Sequence, residues 1–207
     1  MKIGIMGGTF DPIHNGHLML GRYARDFFEL DEVWYMPNGT PPHKANDNIE
    51  LRTKHRVEMV KRAIFKEKNF LLQLYEVENK DVNYSYLTME HFTKIYPEHE
   101  FYFIIGADSL FNIEKWKYPE RLLKTCVILA AFRDGKNKKE MGEQIAYLNE
   151  KYGADIHLLS TPNVDISSSE IREKLRQHED VTDVMPVCVY EYILENQLYE
   201  EAEDESD

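Results

Sequence analysis

The sequence predicts an α/β fold, with a doubly wound, mainly parallel sheet and helices on both of its faces. Two observations predict it. Six short apolar runs have the length of buried strands, and segments with helical spacing of apolar residues separate them. Such alternation of strand and helix favours parallel strands joined by crossover helices. Ligands of these folds bind beyond the carboxyl ends of the strands.

The strand candidates are apolar runs of four or five residues. In chain order they are residues 3–6, 33–36, 70–74, 101–105, 127–130 and 156–159. Between the second and third runs, Val57, Val60 and Ile64 recur at i, i+3 and i+7, which predicts a helix. Residues 38–48 and 133–139 are rich in Pro, Asn, Gly and charged side chains and are predicted to be loops.

The end of the chain divides into a last helix and an acidic tail. We expect Pro186 in the first turn of that helix, with Val187, Tyr190 and Leu194 on its apolar face. Residues 200–207 carry six acidic side chains and almost no apolar ones, so this tail is expected to be disordered. Residues 1–199 are predicted to form one domain, since no linker or internal repeat interrupts them.

Composition excludes several classes of protein. The net charge is −12, half of it from the tail, so long nucleic acid is not expected as a partner. The apolar runs are far shorter than the ~18 residues of a membrane span, and no signal peptide is visible. We therefore expect a cytoplasmic protein with no membrane partner. Cys126 and Cys188 lie in apolar contexts without metal-site spacing and are expected to be buried free thiols.

The first chemical motif follows the first strand directly. Residues 7–17 read Gly-Gly-Thr-Phe-Asp-Pro-Ile-His-Asn-Gly-His and pass into a predicted helix. A glycine pair alone is usually a turn, and a lone histidine is usually a surface or core residue. Here, however, Gly7 and Gly8 let the backbone approach a phosphate, and His14 and His17 can direct ring N–H donors the same way. The combination at a strand-to-helix junction indicates a phosphate site.

The second motif is Ile-Ser-Ser-Ser-Glu-Ile-Arg at residues 166–172, after the sixth strand candidate. Three hydroxyls before Glu170 are typical of a helix N-cap, and that structural role is expected. Capping does not explain Arg172. A helix N-terminus with added hydroxyls and an arginine one turn further on is also a good phosphate site.

Together the motifs resemble those of the nucleotidyltransferases that share a His-x-Gly-His element with class I aminoacyl-tRNA synthetases, with Ser169 in place of the usual Thr. Two phosphate-binding helix ends suit a triphosphate whose α-phosphorus is attacked in line, without a protein nucleophile. His14, His17 and Arg172 are the predicted catalytic residues, stabilising charge on the α-phosphate and the leaving group. Mg²⁺ is expected, held mainly by the substrate phosphates, because no carboxylate cluster suggests a dedicated metal site.

The middle of the chain offers candidates for the second substrate. Pro-Pro-His-Lys at residues 41–44 can carry Lys44 over a phosphate, although such loops are common. Gly106 ends the fourth strand, and Asp108 could either cap a helix or bind a ribose hydroxyl. Trp116, flanked by two lysines, is either a core residue or a platform on which a ring stacks.

With these segments the chain resembles the bacterial nicotinate mononucleotide adenylyltransferase family over nearly its whole length. Matches include an Arg-x-Gly turn at Arg133 and a C-terminal Tyr-Ile-x-x-x-x-Leu-Tyr run at residues 192–199. The resemblance implies a Rossmann-like nucleotidyltransferase fold and adenylyl transfer from ATP to nicotinate mononucleotide in NAD biosynthesis. It implies ATP contacts at Gly7, Gly8, Thr9, Phe10, His14, His17, Gly106, Asp108, Ile166, Ser168 and Arg172. It implies mononucleotide contacts at Thr9, Lys44, Tyr84, Ser85, Trp116, Lys117 and Arg133. It leaves a homo-oligomer open.

One departure from the family is visible. Where the family reads Ser-Tyr-Thr-x-Asp-Thr, this chain has Asn-Tyr-Ser-Tyr-Leu-Thr at residues 83–88, so Leu87 replaces the carboxylate. Two other functions stay open. Phosphopantetheine adenylyltransferase shares the first motif and the Ser-rich helix start, and a non-catalytic nucleotide sensor could use the same fold. A Pro-Pro-His-Lys loop and Trp116 are unexpected in the former, and intact His14, His17 and Arg172 disfavour the latter.

Overall fold

The computed structural model describes residues 1–39, 47–79, 81–133, 138–162 and 166–200, with the backbone alone for residues 47–51 and 133. A six-stranded sheet, all of whose described pairings are parallel, forms the centre, in the order β3-β2-β1-β4-β5-β6. All six predicted strands are confirmed. They are β1 (Lys2–Gly8), β2 (Glu32–Pro37), β3 (Phe70–Leu72), β4 (Glu100–Gly106), β5 (Val127–Arg133) and β6 (Ile156–Thr161).

Helices cover both faces of the sheet. They are α1 (Asn15–Phe28), α2 (Asp47–Ile64), α3 (Tyr75–Glu78), α4 (Ser85–Ile95), α5 (Ala107–Asn112), α6 (Pro119–Thr125), α7 (Lys138–Tyr152), α8 (Ser168–Arg176) and α9 (Val187–Glu195), with a 3-10 turn at Ile113–Lys115. In the described part of the chain no helix combines the length and the apolar character needed to cross a membrane.

The sheet separates two apolar cores, because successive side chains of a strand point to opposite faces. In β4, Phe101 and Phe103 pack into one core, and Tyr102 and Ile104 pack into the other. All four are less than a tenth exposed. Full burial of such a side chain contributes roughly 1.5–3 kcal/mol, which is why the strands read as nearly continuous apolar runs.

The direction of the chain reverses between β1 and β4. From β1 the chain moves outward through β2 to β3, and it then returns to pair β4 with the other edge of β1. In open parallel sheets this switch point leaves a crevice at the carboxyl ends of the two strands. Here Gly8 ends β1 and Gly106 ends β4, so the crevice opens where the first motif begins.

Three loop boundaries and one helix face differ from the sequence predictions, and β3 ends at Leu72 rather than at residue 74. Helix α2 already begins at Asp47, inside the predicted loop 38–48, while Arg133 ends β5 and α7 begins at Lys138, inside the predicted loop 133–139. Helix α9 buries Val189 and Ile193 and exposes the side chains of Val187 and Leu194. The apolar residues of this helix could form either of two buried faces. Packing against α2 buries the face that carries Val189 and Ile193.

Three smaller features complete the fold. Pro186 is the residue before α9 rather than part of its first turn. Cys126 and Cys188 are both free thiols, but only Cys126 is buried, and burial raises its pKa to about 12. Glu200 is exposed, and the remainder of the predicted tail lies outside the described residues.

Candidate active site

The loop between β1 and α1 carries the first motif. Phe10 has a left-handed backbone (φ 51°), and its buried ring contacts the His17 ring with centroids 5.0 Å apart. A Cβ at position 8 would lie 3.0 Å from that ring, so only glycine fits without displacing it. Because the Phe10 side chain is in the core, any contribution of this residue to an ATP site comes from its main chain.

His14 and His17 form a compact pair at the start of α1. The main-chain N–H of His14 donates to Nδ1 of His17 at 3.3 Å, and the ring centroids are 3.8 Å apart. Because Nδ1 of His17 accepts this bond, the proton of the neutral imidazole belongs on Nε2. His14 is buried, whereas His17 is partly exposed and lines the adjoining cavity.

The second motif opens α8, as predicted. Ser167 is the N-cap residue, and its hydroxyl accepts the main-chain N–H of Glu170 at 3.2 Å. The next residues reach the first motif: Ser168 Oγ donates to the Pro12 carbonyl at 2.9 Å, and Arg172 Nη1 donates to the Asp11 carbonyl at 2.8 Å. The fold therefore brings the two motifs, 156 residues apart at the Pro12–Ser168 bond, into direct contact.

Two arginines of α2, which the sequence analysis did not single out, hold the same loop. Arg52 donates twice to Asp11 Oδ2, at 2.8 and 2.5 Å. Buried Arg56 donates to the carbonyls of Thr9 at 2.7 Å and Asn38 at 2.9 Å. Burial lowers the pKa of Arg56, and the charge of Asp11 opposes that effect. The sequence signal that could have identified them is their spacing, because Arg52 and Arg56 are one turn apart on a predicted helix.

A cavity of about 590 Å³ opens beside this loop. Gly7 and His17 line it from the first motif, Gly106 from the end of β4, and Ser85 and Trp116 from the opposite side. Its volume is within the usual range for sites that hold small molecules. Residues predicted for ATP and residues predicted for the mononucleotide thus share one cavity.

A recess of about 280 Å³ shares Asn83, Ser85 and Trp116 with this cavity. Tyr84, Ser85, Trp116 and Lys117, all predicted for the mononucleotide, line it. Helix α4 begins here, and its hydrogen-bond ladder starts with the N–H of Leu87 bonded to the Tyr84 carbonyl at 2.9 Å. The N–H groups of the first helical residues therefore point out of the helix end, where an anion is favoured.

A buried carboxyl lies in the same wall. Glu76 of α3 is 7% exposed, lines the larger cavity, and accepts a hydrogen bond from Thr88 Oγ1 at 2.8 Å. Burial raises the pKa of Glu76, and the bond from Thr88 opposes that rise. Leu87, the departure noted in the sequence, is 40% exposed. Glu76, rather than residue 87, supplies the carboxyl group that meets Thr88 of α4.

The other predicted site residues are less informative. Asp108 is exposed in the first turn of α5, and Ile166 is partly buried just before α8. Lys44 lies outside the described residues, and of Arg133 only the backbone, at the carboxyl end of β5, is described. In the described parts no group of three or more His, Cys, Asp or Glu side chains could hold a metal ion. A recess of about 470 Å³ beside His99 and Cys126 contains none of the predicted residues.

Comparison with known sequences gives consistent matches. The cytidylyltransferase-like family matches residues 5–174. A Clostridium acetobutylicum protein named "Probable nicotinate-nucleotide adenylyltransferase" is 39% identical over 198 residues, covering 96% of this chain and 98% of that protein. A Clostridium botulinum protein of the same name is 40% identical over 197 residues, covering 94% and 97%.

Solved structures share the fold. Nicotinic acid mononucleotide adenylyltransferase of Plasmodium falciparum, complexed with NaAD, superposes with a TM-score of 0.75 at 22% identity, over 96% of this chain and 97% of that chain. The complex of the Plasmodium protein with APC gives a TM-score of 0.74 over the same fractions. At 22% identity the structural similarity establishes the fold alone. The family of this chain is shown by the sequence relatives.

Proposed function

We infer the activity of this chain from its family, since it belongs to the nicotinate-nucleotide adenylyltransferases within the cytidylyltransferase-like family. It is a nucleotidyltransferase of NAD biosynthesis. It transfers the adenylyl group of ATP to nicotinate mononucleotide and releases pyrophosphate. The roles of individual residues in this reaction are our proposals, and the contacts above support them.

We propose that the ATP triphosphate lies across the start of α1 and the start of α8. His17 then directs Nε2–H at the α-phosphate or the leaving pyrophosphate, and buried His14 supports it through the bond to Nδ1. Arg172, held on the Asp11 carbonyl, places a cation beside the same group. Donors fixed in advance stabilise the charge that develops in the transition state.

On the opposite side we propose that nicotinate mononucleotide occupies the recess beside Trp116. The indole is partly buried and meets Phe103 edge to face, with centroids 6.5 Å apart, which fixes its plane as a stacking surface. The first N–H groups of α4 then face the ring carboxylate. The mononucleotide phosphate lies toward the triphosphate, so one of its oxygens attacks the α-phosphorus in line. Orientation of two bound reactants contributes roughly 7–11 kcal/mol in favourable cases.

Mg²⁺ is proposed to enter with ATP and to be held by phosphate oxygens. Asp11, the carboxylate inside the first motif, is already bonded to Arg52 and Tyr199, so it is poorly placed to serve as a metal ligand. When bound, the ion would supply positive charge to the phosphates. The protein's own contribution is the arrangement of His17, Arg172 and the two helix ends.

One observation carries this assignment of roles: His17 and Gly7 of the ATP motif line the same cavity as Ser85 and Trp116. The test is to incubate the purified chain with ATP, Mg²⁺ and nicotinate mononucleotide, and to measure pyrophosphate and the dinucleotide. Both products are expected in equal amounts. A parallel reaction with phosphopantetheine should release no pyrophosphate.

The alternatives give different results in the same experiment. Release of pyrophosphate with phosphopantetheine alone would identify the related adenylyltransferase. Binding of ATP with no turnover of either acceptor would indicate a nucleotide sensor. The recess that Trp116 and Lys117 share with the start of α4 favours the pyridine mononucleotide.

A further inference from the structure

The hydroxyl of Tyr199 donates a hydrogen bond to Asp11 Oδ1 at 2.5 Å, across 188 residues of sequence. Asp11 lies inside the first motif and is 5% exposed. Tyr199 follows α9, at the far end of the described chain, and packs against the apolar core on one side of the sheet. A residue next to the acidic tail thus touches the loop that carries the ATP motif.

Asp11 connects Tyr199 to an arginine of the site. Its two carboxylate oxygens are held from different sides, Oδ1 by Tyr199 and Oδ2 by Arg52. Its carbonyl oxygen accepts Nη1 of Arg172 at 2.8 Å. Because side chain and carbonyl belong to one residue, the bonds to the carboxylate restrain the backbone of Asp11, and movement of that backbone shifts the carbonyl that orients Arg172.

The backbone that delivers Tyr199 is strained. Gln197 has φ 52° and Tyr199 has φ 70°, both in the left-handed region that residues other than glycine rarely adopt. Such conformations are energetically unfavourable, persist only where surrounding contacts hold them, and cluster at functional sites. Here the N–H of Leu198, between the two, is tied to the Ile193 carbonyl at 3.0 Å.

The hydroxyl of Tyr199 also remains a hydrogen-bond donor over a wide pH range. Burial and the neighbouring Asp11 raise the pKa of Tyr199 far above its ordinary value. The hydroxyl therefore keeps its proton throughout the neutral range, and Asp11 keeps a fixed partner on Oδ1.

We propose that Tyr199 is a positioning residue for adenylyl transfer, fixing Asp11 and, through it, the guanidinium of Arg172 beside the α-phosphate. The proposal rests on the proposed function and extends it to the C-terminal end of the chain. It predicts that loss of the Tyr199 hydroxyl, which acts through Asp11, lowers turnover while nicotinate mononucleotide is still bound normally.

The test compares Tyr199→Phe with Tyr192→Phe. Tyr192 lies in α9, and its hydroxyl meets His55 Nδ1 at 2.8 Å rather than a residue of either motif. Each substitution removes one hydroxyl bond of the same C-terminal region. We expect kcat of Tyr199→Phe to fall about tenfold, with KM for nicotinate mononucleotide within twofold of wild type. Tyr192→Phe should keep the wild-type kcat, even if both variants melt at a lower temperature.

A third variant, Asp11→Asn, tests whether Tyr199 acts on Arg172 through Asp11. If Tyr199 acts through Asp11, Tyr199→Phe should lower kcat less than twofold further in the Asp11→Asn background, since coupled residues are not additive. Wild-type kcat in folded Tyr199→Phe, an equal loss in Tyr192→Phe, or full additivity with Asp11→Asn would each overturn the inference. Should wild type itself release no pyrophosphate, the proposed function falls, and this inference falls with it.

Discussion

The hydroxyl of Thr88 donates a 2.8 Å hydrogen bond to the carboxyl group of Glu76, joining α4 to α3 in the wall of the cavity. Both residues are less than a tenth exposed. The bond fixes the start of α4, where the mononucleotide is proposed to bind. It also buries an ionisable group, and that burial makes stability depend on pH.

Glu76→Gln should reveal that dependence. Burial raises the pKa of Glu76 in the folded protein above its ordinary 4.5. Its contribution to stability is therefore fully present below about pH 4.5 and is lost as the pH rises through the folded pKa. Glutamine does not titrate, so the melting temperature of the variant relative to wild type should increase between pH 4.5 and 7.

The control for this experiment is Glu78→Gln, which alters an exposed carboxylate of the same short helix. Its melting temperature should follow that of wild type across the pH range. If the Glu76→Gln and wild-type curves run parallel from pH 4.5 to 7, the burial of Glu76 does not carry the energetic penalty inferred here.

Removal of the His17 ring should damage catalysis more than folding. In His17→Ala we expect kcat to fall by roughly 10²-fold or more, as on loss of one fixed donor to a developing charge. Circular dichroism should stay that of wild type. His157→Ala, which removes a half-exposed histidine on β6, serves as the control. Near-normal turnover by a folded His17→Ala protein would show that this ring does not stabilise the transition state.

Nicotinate mononucleotide should be preferred over its amide analogue. The N-terminus of α4 favours an anion, whereas stacking on Trp116 treats both rings alike. A charge-assisted hydrogen bond contributes about 1.5–3 kcal/mol, so kcat/KM should differ by tenfold or more. Equal kcat/KM for the two mononucleotides, at unchanged KM for ATP, would contradict this account of specificity.

Two shortened proteins should distinguish the contribution of the acidic tail from that of Tyr199. A protein that ends at Tyr199 is expected to retain the melting temperature and kcat of the full chain, because residues 200–207 are acidic and nearly devoid of apolar side chains. A protein that ends at Leu198 loses the bond to Asp11 and should lose turnover. A large loss in the longer of the two would show that the tail docks on the domain.

What could be predicted from the sequence was local or carried by a contiguous motif. The strands follow from runs such as residues 101–105, and the Ser167 cap follows from its own neighbours. The contacts of Arg52, Arg56 and Tyr199 are tertiary: no local pattern indicates the partner of these side chains, and each acquires it only when the fold brings it to residues 9–11. The buried face of α9 was predicted wrongly for the same reason, because tertiary packing rather than the periodicity of apolar residues determines which face is buried.

Three of the hydrogen bonds that hold residues 11–15 come from positions synthesised much later. Ser168 bonds to Pro12, the carbonyl of Val184 to Asn15, and Tyr199 to Asp11. A ribosome therefore releases the histidine motif early, but these three partners of its loop emerge only with residues 168–199. A chain that stops before Ser168 has the glycines and histidines without these three bonds, so we expect adenylyl transfer only after residues 168–199 have been synthesised.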